Sequence, residues 1–245
     1  MLGKQLQIYC NIQLLNMSNK KMKHLWIIMD WNRRWAKKRL LPWIAWHKAW
    51  ADNVEKTVNL AWDKWIKYIT MWALSTDNLE KRWKDEVEWI IKLINSIEKY
   101  LAKMIDKWLK FNVIWDIKKL PIESQNVLNK VIKNTKNNKW IVLTIALIYW
   151  WQDEIIRATK KIIKAWLNPE VLSKEEFKKY LDTYNLPNPD LIVRTWWDVR
   201  HSWFLLFDSE YSEYYFTNKC WPEFDEKELD IVIDFYKWSK RNFWK

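Results

Sequence analysis

The 245-residue chain contains a single glycine, Gly3, where average usage of about 7% would give roughly 17. It has only two cysteines, Cys10 and Cys220. Two thiols make neither a disulfide framework nor a four-cysteine zinc site, and they suit a reducing compartment. No apolar run reaches the ~18 residues that a membrane-crossing helix needs. The first sixteen residues lack a long apolar stretch and a small-residue cleavage site, so they do not read as a secretory signal. The chain has no DDxxD stretch, and its three histidines form no metal-binding box with the cysteines.

What is present is a foldable α/β sequence. With 49% hydrophobic and 29% charged residues, the chain cannot be a disordered one. Its length fits one domain with a sizeable core. The net charge of +12, from 42 Lys+Arg against 30 Asp+Glu, attracts phosphates, nucleic acid or anionic membrane surface. The densest basic cluster runs from Lys20 to Lys48 and includes Arg33, Arg34, Lys37, Lys38 and Arg39.

The second abnormal count is 23 tryptophans. They precede turns, end predicted helices and pair as Trp150-Trp151 and Trp196-Trp197. Turns and helix ends call for residues that tolerate positive φ, and tryptophan is poor there. The expectation is that most of these positions are glycine in the protein its own cell makes, as happens where the stop codon UGA is read as glycine. The many Lys, Ile and Asn residues fit the AT-rich genome in which such a change arises.

Residues 1–19 read as an N-terminal extension outside the fold, with Met17 a candidate start, and residues 20–245 as one domain. Strands are expected at Leu25–Met29, Tyr68–Leu74, Phe111–Trp115, Ile141–Ile148, Leu191–Arg194 and Tyr214–Thr217. Helices are expected at His47–Lys64, Lys84–Leu109, Ser124–Asn134, Asp153–Lys164, Lys174–Thr183 and Glu226–Lys240. Ser173 with Glu176 three residues on is a capping box for the fifth. This alternation predicts a parallel sheet covered by helices. Functional loops in such sheets lie at the carboxyl ends of strands. The ends here carry Asp30-Trp-Asn32-Arg-Arg34, Ser75-Thr-Asp77-Asn78, Tyr149-Trp-Trp-Gln152 and Arg194-Thr-Trp-Trp-Asp198.

These segments resemble the cis-prenyltransferases, in particular the undecaprenyl diphosphate synthase type. HLWIIMDWNRRWAKK is similar to the family signature H-x-x-I-I-M-D-G-N-x-R-W-A-K. The likeness continues through WHKAWA at 46–51, WALSTDNLEKR at 72–82, IALIYWWQDEI at 145–155, DLIVRTWWDVRHSWFLL at 190–206 and YSEYYFTNKCWPEF at 211–224. Trp35, Trp72 and Trp221 fall where the family accepts tryptophan. Most of the other twenty fall where it has glycine or a small residue. The resemblance implies a central, mostly parallel six-stranded sheet flanked by helices, with an apolar tunnel for the growing chain. It implies Mg²⁺-dependent condensation of isopentenyl diphosphate onto an allylic diphosphate such as farnesyl diphosphate, giving a polyprenyl diphosphate such as the C55 cell-wall lipid carrier. A homodimer is implied, in the cytoplasm, touching the membrane to release product.

By the same resemblance Asp30 binds Mg²⁺ with the substrate diphosphate, since Mg²⁺ is content with one or two carboxylates plus phosphate oxygens. The plain alternative for Asp30 is a helix N-cap. Trp31 stands at a family glycine beside the diphosphate. Asn32 and Arg34 match diphosphate-side and proton-transfer residues, and Trp35 completes the substrate-binding motif. His47 is assigned a catalytic role at a helix start, where a surface cap is the alternative. Ser75, Asn78, Arg82 and Glu86 match the segment that closes on the diphosphate; a solvated loop is the alternative. Arg194, Arg200 and Ser202 match the isopentenyl diphosphate site, with a buried salt bridge the alternative for Arg194. Glu213 matches a second Mg²⁺-associated carboxylate, one that the partner subunit can supply. His24 and His201 are expected to be structural. Two other readings compete, a non-catalytic accessory subunit of the same fold and a basic nucleic-acid-binding module. Retention of Asp30, Asn32, Arg34 and His47 speaks against the first. Aromatics that follow glycine positions, not one stripe, speak against the second, so no nucleic-acid partner is expected.

Overall fold

The computed structural model describes residues 21–30, 32–41, 45–73, 84–114, 117–196, 198–202 and 204–239, with the backbone alone for 32–34, 46, 47, 84–86 and 89. Six strands form one sheet: β1 (His24–Ile28), β2 (Tyr68–Trp72), β3 (Leu109–Ile114), β4 (Ile141–Ala146), β5 (Leu191–Arg194) and β6 (Glu213–Phe216). Their order is β3-β4-β2-β1-β5-β6, and every pairing is parallel. The eight described α-helices are α1 (Asn32–Lys38), α2 (Ala45–Asp63), α3 (Lys84–Ser96), α4 (Leu101–Asp106), α5 (Ile122–Thr135), α6 (Trp151–Lys164), α7 (Lys174–Lys178) and α8 (Glu226–Trp238).

The strands are parallel because helices cover both faces, and their sequences show it. HLWII in β1 and IVLTIA in β4 are buried at every position, as expected of strands with no solvent face. Alternate residues enter two cores. Leu25, Ile27, Ile69, Met71, Leu143, Ile145 and Val193 face the larger one, with Leu128 and Val131 of α5 and Leu229 and Val232 of α8. Trp26, Ile28, Val142, Ala146 and Ile192 face the smaller one, with Tyr149, Phe204 and Leu205. Helix stripes match these faces: α5 buries Ser124, Leu128, Val131 and Thr135, spaced at three and four residues.

All six expected strands are present, and the sheet is wholly rather than mostly parallel. The expected helix Lys84–Leu109 is broken into α3, a 3₁₀ turn at Ile97–Tyr100 and α4. Ser96 Oγ donates back to the Leu93 carbonyl at 2.7 Å, a bond that bends helices, and β3 claims Leu109 at the far end. The expected helix Lys174–Thr183 stops at Lys178; of the expected capping box the Ser173 half forms, with the Glu176 N–H donating to Ser173 Oγ at 3.1 Å, while the Glu176 carboxylate accepts from Lys179 Nζ. The short helix α1 carries no amphipathic signal of its own and was not anticipated.

This topology places one crevice. From β1 the chain moves to β2 on one side, while β5, on its other side, leads outward to β6. The order therefore reverses between β1 and β5, and in open parallel sheets ligands bind outside the carboxyl ends of strands at such a reversal.

Candidate active site

The carboxyl ends of β1 and β5 deliver Asp30 and Arg194 to that crevice. Ile28 and Arg194 are register partners, so Asp30, two residues past Ile28, stands just beyond the level of Arg194 at the strand ends. Arg194 is 5% exposed at its side chain. Its Nε donates to Asp30 Oδ2 at 2.7 Å, and its Nη2 lies 2.6 Å from the same oxygen. Its Nη1 donates to Ser202 Oγ at 2.6 Å and to the Arg200 carbonyl. A guanidinium so placed is a fixed fork that locks three chain segments together.

Asp30 is itself held from behind. Its N–H donates to Thr195 Oγ1 at 2.8 Å, and the Thr195 N–H donates to the Ile28 carbonyl at 3.1 Å. Burial pushes the Asp30 carboxyl above its usual pKa, and the charge and hydrogen bonds of Arg194 pull the other way. Both Arg194 contacts fall on Oδ2; among the described residues Oδ1 takes no partner. Among those residues no group of three His, Cys, Asp or Glu is placed to form a metal cage. A carboxylate with one uncommitted oxygen and partial exposure fits the alternative, an Mg²⁺ held by one protein ligand and phosphate oxygens.

Arg200 presents the exposed charge of the cluster. Its side chain is 61% exposed, and Nη2 donates to Asp198 Oδ2 at 2.7 Å. Asp198 also lies 4.0 Å from Arg194 Nη2, so it ties the two arginines. Trp196 has φ 74°, donates its N–H to the Lys219 carbonyl at 2.7 Å, and carries Lys38 Nζ 4.7 Å from its ring centre. Trp35 lies half-buried under Arg39, whose guanidinium carbon is 4.8 Å from the ring centre. The Trp35 indole N–H is buried without a hydrogen-bond partner among the described residues.

The structure thus brings Asp30, Arg194, Arg200 and Ser202 together. The backbones of Asn32 and Arg34 start α1, directly after Asp30, and His47 and Glu86 lie in the first turns of α2 and α3. Trp31, Ser75, Asn78 and Arg82 lie outside the described residues. Glu213 does not join Asp30 within one chain. It is the first residue of β6, paired with Leu191, so three residues (~10 Å) of parallel strand separate it from the level of Arg194. Arg194 is a buried ion-pair partner of Asp30, the structural alternative read for it.

Sequence reasoning missed Thr195, Asp198 and Asn53. Asn53 Nδ2 donates to the carbonyls of Trp221 (2.6 Å) and Phe224 (3.0 Å), pinning α2 to the turn whose Trp221 N–H reaches the Asp30 carbonyl at 3.5 Å. Thr195 and Asp198 flank the tryptophan pair after β5, a signal that was available; Asn53 sits mid-helix with none. His24 is structural, as expected. Burial lowers its pKa to about 3, its Nδ1 is 2.7 Å from the Pro187 carbonyl, and the Trp26 indole donates to Nε2 at 2.6 Å.

A parallel sheet with an Asp–Arg–Ser–Arg cluster at its strand reversal has the layout of an α/β protein that binds its ligand at the strand ends. The comparisons with known proteins narrow it. Residues 28–244 match the Prenyltransf family, the undecaprenyl diphosphate synthase family, and the chain belongs to it. Isoprenyl transferase of Clostridium tetani is 38% identical over 90% of this chain and 88% of its own length. Isoprenyl transferase of Fusobacterium nucleatum is 40% identical, covering 90% and 95%. The solved lavandulyl diphosphate synthase of Lavandula x intermedia, in complex with dimethylallyl diphosphate, superposes with TM-score 0.82 at 27% identity, covering 91% of this chain and 98% of that one. The protein is a prenyltransferase of the cis-prenyl chain-elongating kind.

Proposed function

We propose that the crevice between β1 and β5 binds the two diphosphates of this reaction, isopentenyl diphosphate as the repeated donor and an allylic diphosphate, farnesyl diphosphate in the first round, as the primer. The observation that carries this is the cluster itself: Asp30 pinned by Arg194, with Ser202 on the same guanidinium and exposed Arg200 beside it. In each round the C1–O bond of the allylic substrate breaks and diphosphate leaves with the bonding pair. The double bond of isopentenyl diphosphate supplies the electrons of the new C–C bond, and loss of a proton from its C2 makes the new cis double bond.

Arg200, exposed and with its guanidinium on Asp198, reaches a diphosphate, while Arg194 orients Asp30 and Ser202. Asp30 would hold Mg²⁺ through its uncommitted oxygen. The chemistry supplied by an ion bound there would be charge neutralisation of a diphosphate. Asn32 and Arg34 flank the leaving group and take part in proton transfer, and Trp31 and Trp35 line it. His47 acts from the first turn of α2. Ser75, Asn78, Arg82 and Glu86 close over the diphosphate. The growing chain lies in an apolar tunnel between sheet and helices. Glu213, distant from Asp30 in its own chain, reaches a diphosphate only across a homodimer. The product, a C55-type polyprenyl diphosphate, leaves at a membrane face; among the described residues no helix is long and apolar enough to cross one.

Purified protein incubated with farnesyl diphosphate, labelled isopentenyl diphosphate and Mg²⁺ converts the label into solvent-extractable polyprenyl diphosphate, and a chelator stops it. Product mass reads the chain length. Absence of transfer by correctly folded protein sinks the reading in favour of the accessory subunit.

A further inference from the structure

Eight described residues other than glycine have positive φ: Leu40, Trp65, Trp108, Ile148, Trp166, Trp196, Ser202 and Leu205. Tryptophan makes up 23 of 245 residues yet fills four of these eight positions. The left-handed region crowds a Cβ against the following carbonyl, and bulky residues are genuine outliers there.

Three of the four do the same job. Trp65 follows α2, with its N–H on the Trp62 carbonyl (3.0 Å) and the Ile66 N–H on the Ala61 carbonyl (2.9 Å). Trp166 follows α6, with its N–H on the Ile163 carbonyl (3.1 Å) and the Leu167 N–H on the Ile162 carbonyl (3.4 Å). Trp108 follows α4, with its N–H on the Ile105 carbonyl (2.9 Å). The φ values are 62°, 50° and 50°. These are left-handed helix C-terminal turns, the commonest station of glycine. The indoles give little packing in return, least at Trp166 (93% exposed) and Trp65 (78%), more at Trp108 (55%). By contrast, Ile148 and Leu205 are buried at their positive φ, and Ser202 accepts from Arg194. Leu40, exposed after α1, is the one other such turn among the described residues.

We infer that the protein as its own cell makes it carries glycine at positions 65, 108, 166 and 196, through UGA codons read as glycine. Trp221 is the opposite case: fully buried, its φ not positive, its indole donating to the Trp50 carbonyl at 3.2 Å, it is tryptophan in the cell too. At position 196 the change reaches the site, a consequence that rests on the function proposed above. Without the indole, Lys38 loses its ring partner and its ammonium is released at the mouth beside Arg194 and Arg200.

The deciding experiment is peptide mass spectrometry of the protein isolated from the cells that naturally make it. The tryptic peptides Ala165–Lys174, Thr195–Arg200 and Cys220–Lys227 cover the three key positions. Glycine at 166 and 196 with tryptophan at 221 is the expected result. Tryptophan at 166 or 196 overturns the inference, and so does glycine at 221, because backbone geometry would then not be what separates the two groups. Recombinant protein made with the sequence as written supplies a second reading. Trp65→Gly and Trp166→Gly each raise Tm by about 2–4 °C without changing KM, whereas Trp221→Gly lowers Tm. An unchanged or lowered Tm in both surface variants counts against the inference. Trp196→Gly lowers the KM for isopentenyl diphosphate; if the peptides carry glycine and KM does not move, the placement of the diphosphate fails and the glycine assignment stands.

Discussion

The two ends of β1 use charged groups in opposite ways. At its start, Asp190 accepts the N–H groups of Lys23 (2.7 Å) and His24 (3.0 Å) on one oxygen and the Tyr236 hydroxyl (3.2 Å) on the other. The neighbouring His24 is buried, neutral and bonded at both ring nitrogens. At the other end, Asp30 shares one oxygen with Arg194, and exposed Arg200 stands beside them. At the first end both carboxylate oxygens of Asp190 and both ring nitrogens of His24 have partners. The other end leaves one carboxylate oxygen without a partner among the described residues and a guanidinium exposed to solvent. Burial with saturation marks structure, and burial with spare valence marks chemistry.

The comparison breaks most sharply at Asp30. Asp30→Asn keeps an acceptor for Arg194, so the protein folds, yet prenyl transfer falls by about 10²–10³-fold. Steady-state rates with labelled isopentenyl diphosphate, alongside thermal melting, check this; a variant with full activity removes Asp30 from the chemistry.

Next in size is a buried acid outside the crevice. Burial raises the Glu154 carboxyl from 4.5 to about 7; it accepts from the Tyr149 hydroxyl at 2.5 Å and from the Asp182 N–H at 3.0 Å. Below pH 4.5 it is protonated in both states. Between about 4.5 and 7 the unfolded chain ionises first, so stability falls as pH rises through that window and levels off above it. The loss amounts to about 3 kcal/mol. Glu154→Gln removes the slope, which urea titrations at pH 4.5, 6 and 7.5 would reveal; an unaltered slope refutes the assignment.

At the sealed end, Asp190→Ala costs about 2 kcal/mol of stability by orphaning buried donors, and it leaves turnover per folded molecule unchanged. Urea midpoints with an active-site-normalised assay separate the two effects. Smallest is Arg200→Ala, which raises the KM for isopentenyl diphosphate about tenfold, with little change in Tm because the side chain is exposed. An Arg200→Ala variant that unfolds instead would make this arginine part of the scaffold.

Much of this was legible in the residues. The strands of β1, β4 and β5 are apolar runs that only a doubly covered sheet can bury, and the motifs at the ends of β1 and β5 hold Asp30, Arg194, Arg200 and Ser202, which the fold brings together. Less legible were features that depend on contacts between distant segments. The long helix expected from Lys84 to Leu109 yields to a serine back-bond and to the pull of β3. Thr195 looks like any threonine after a strand until the Asp30 N–H is found on it. Glu213 reads as a site residue beside its aromatic neighbours, yet register sets it at the other end of the sheet within its own chain.

The sequence by itself determined the fold class, the family and the residue types at the crevice, because periodicity and short motifs are local properties of the chain. It also carried the excess of tryptophan over glycine. Tertiary structure decided the rest. Strand order, which no local pattern encodes, put the reversal between β1 and β5 and so joined Asp30 to a residue 164 positions away. Backbone dihedrals, set by how each helix must end and turn back to the sheet, separated the tryptophans at left-handed turns from those that fill the core.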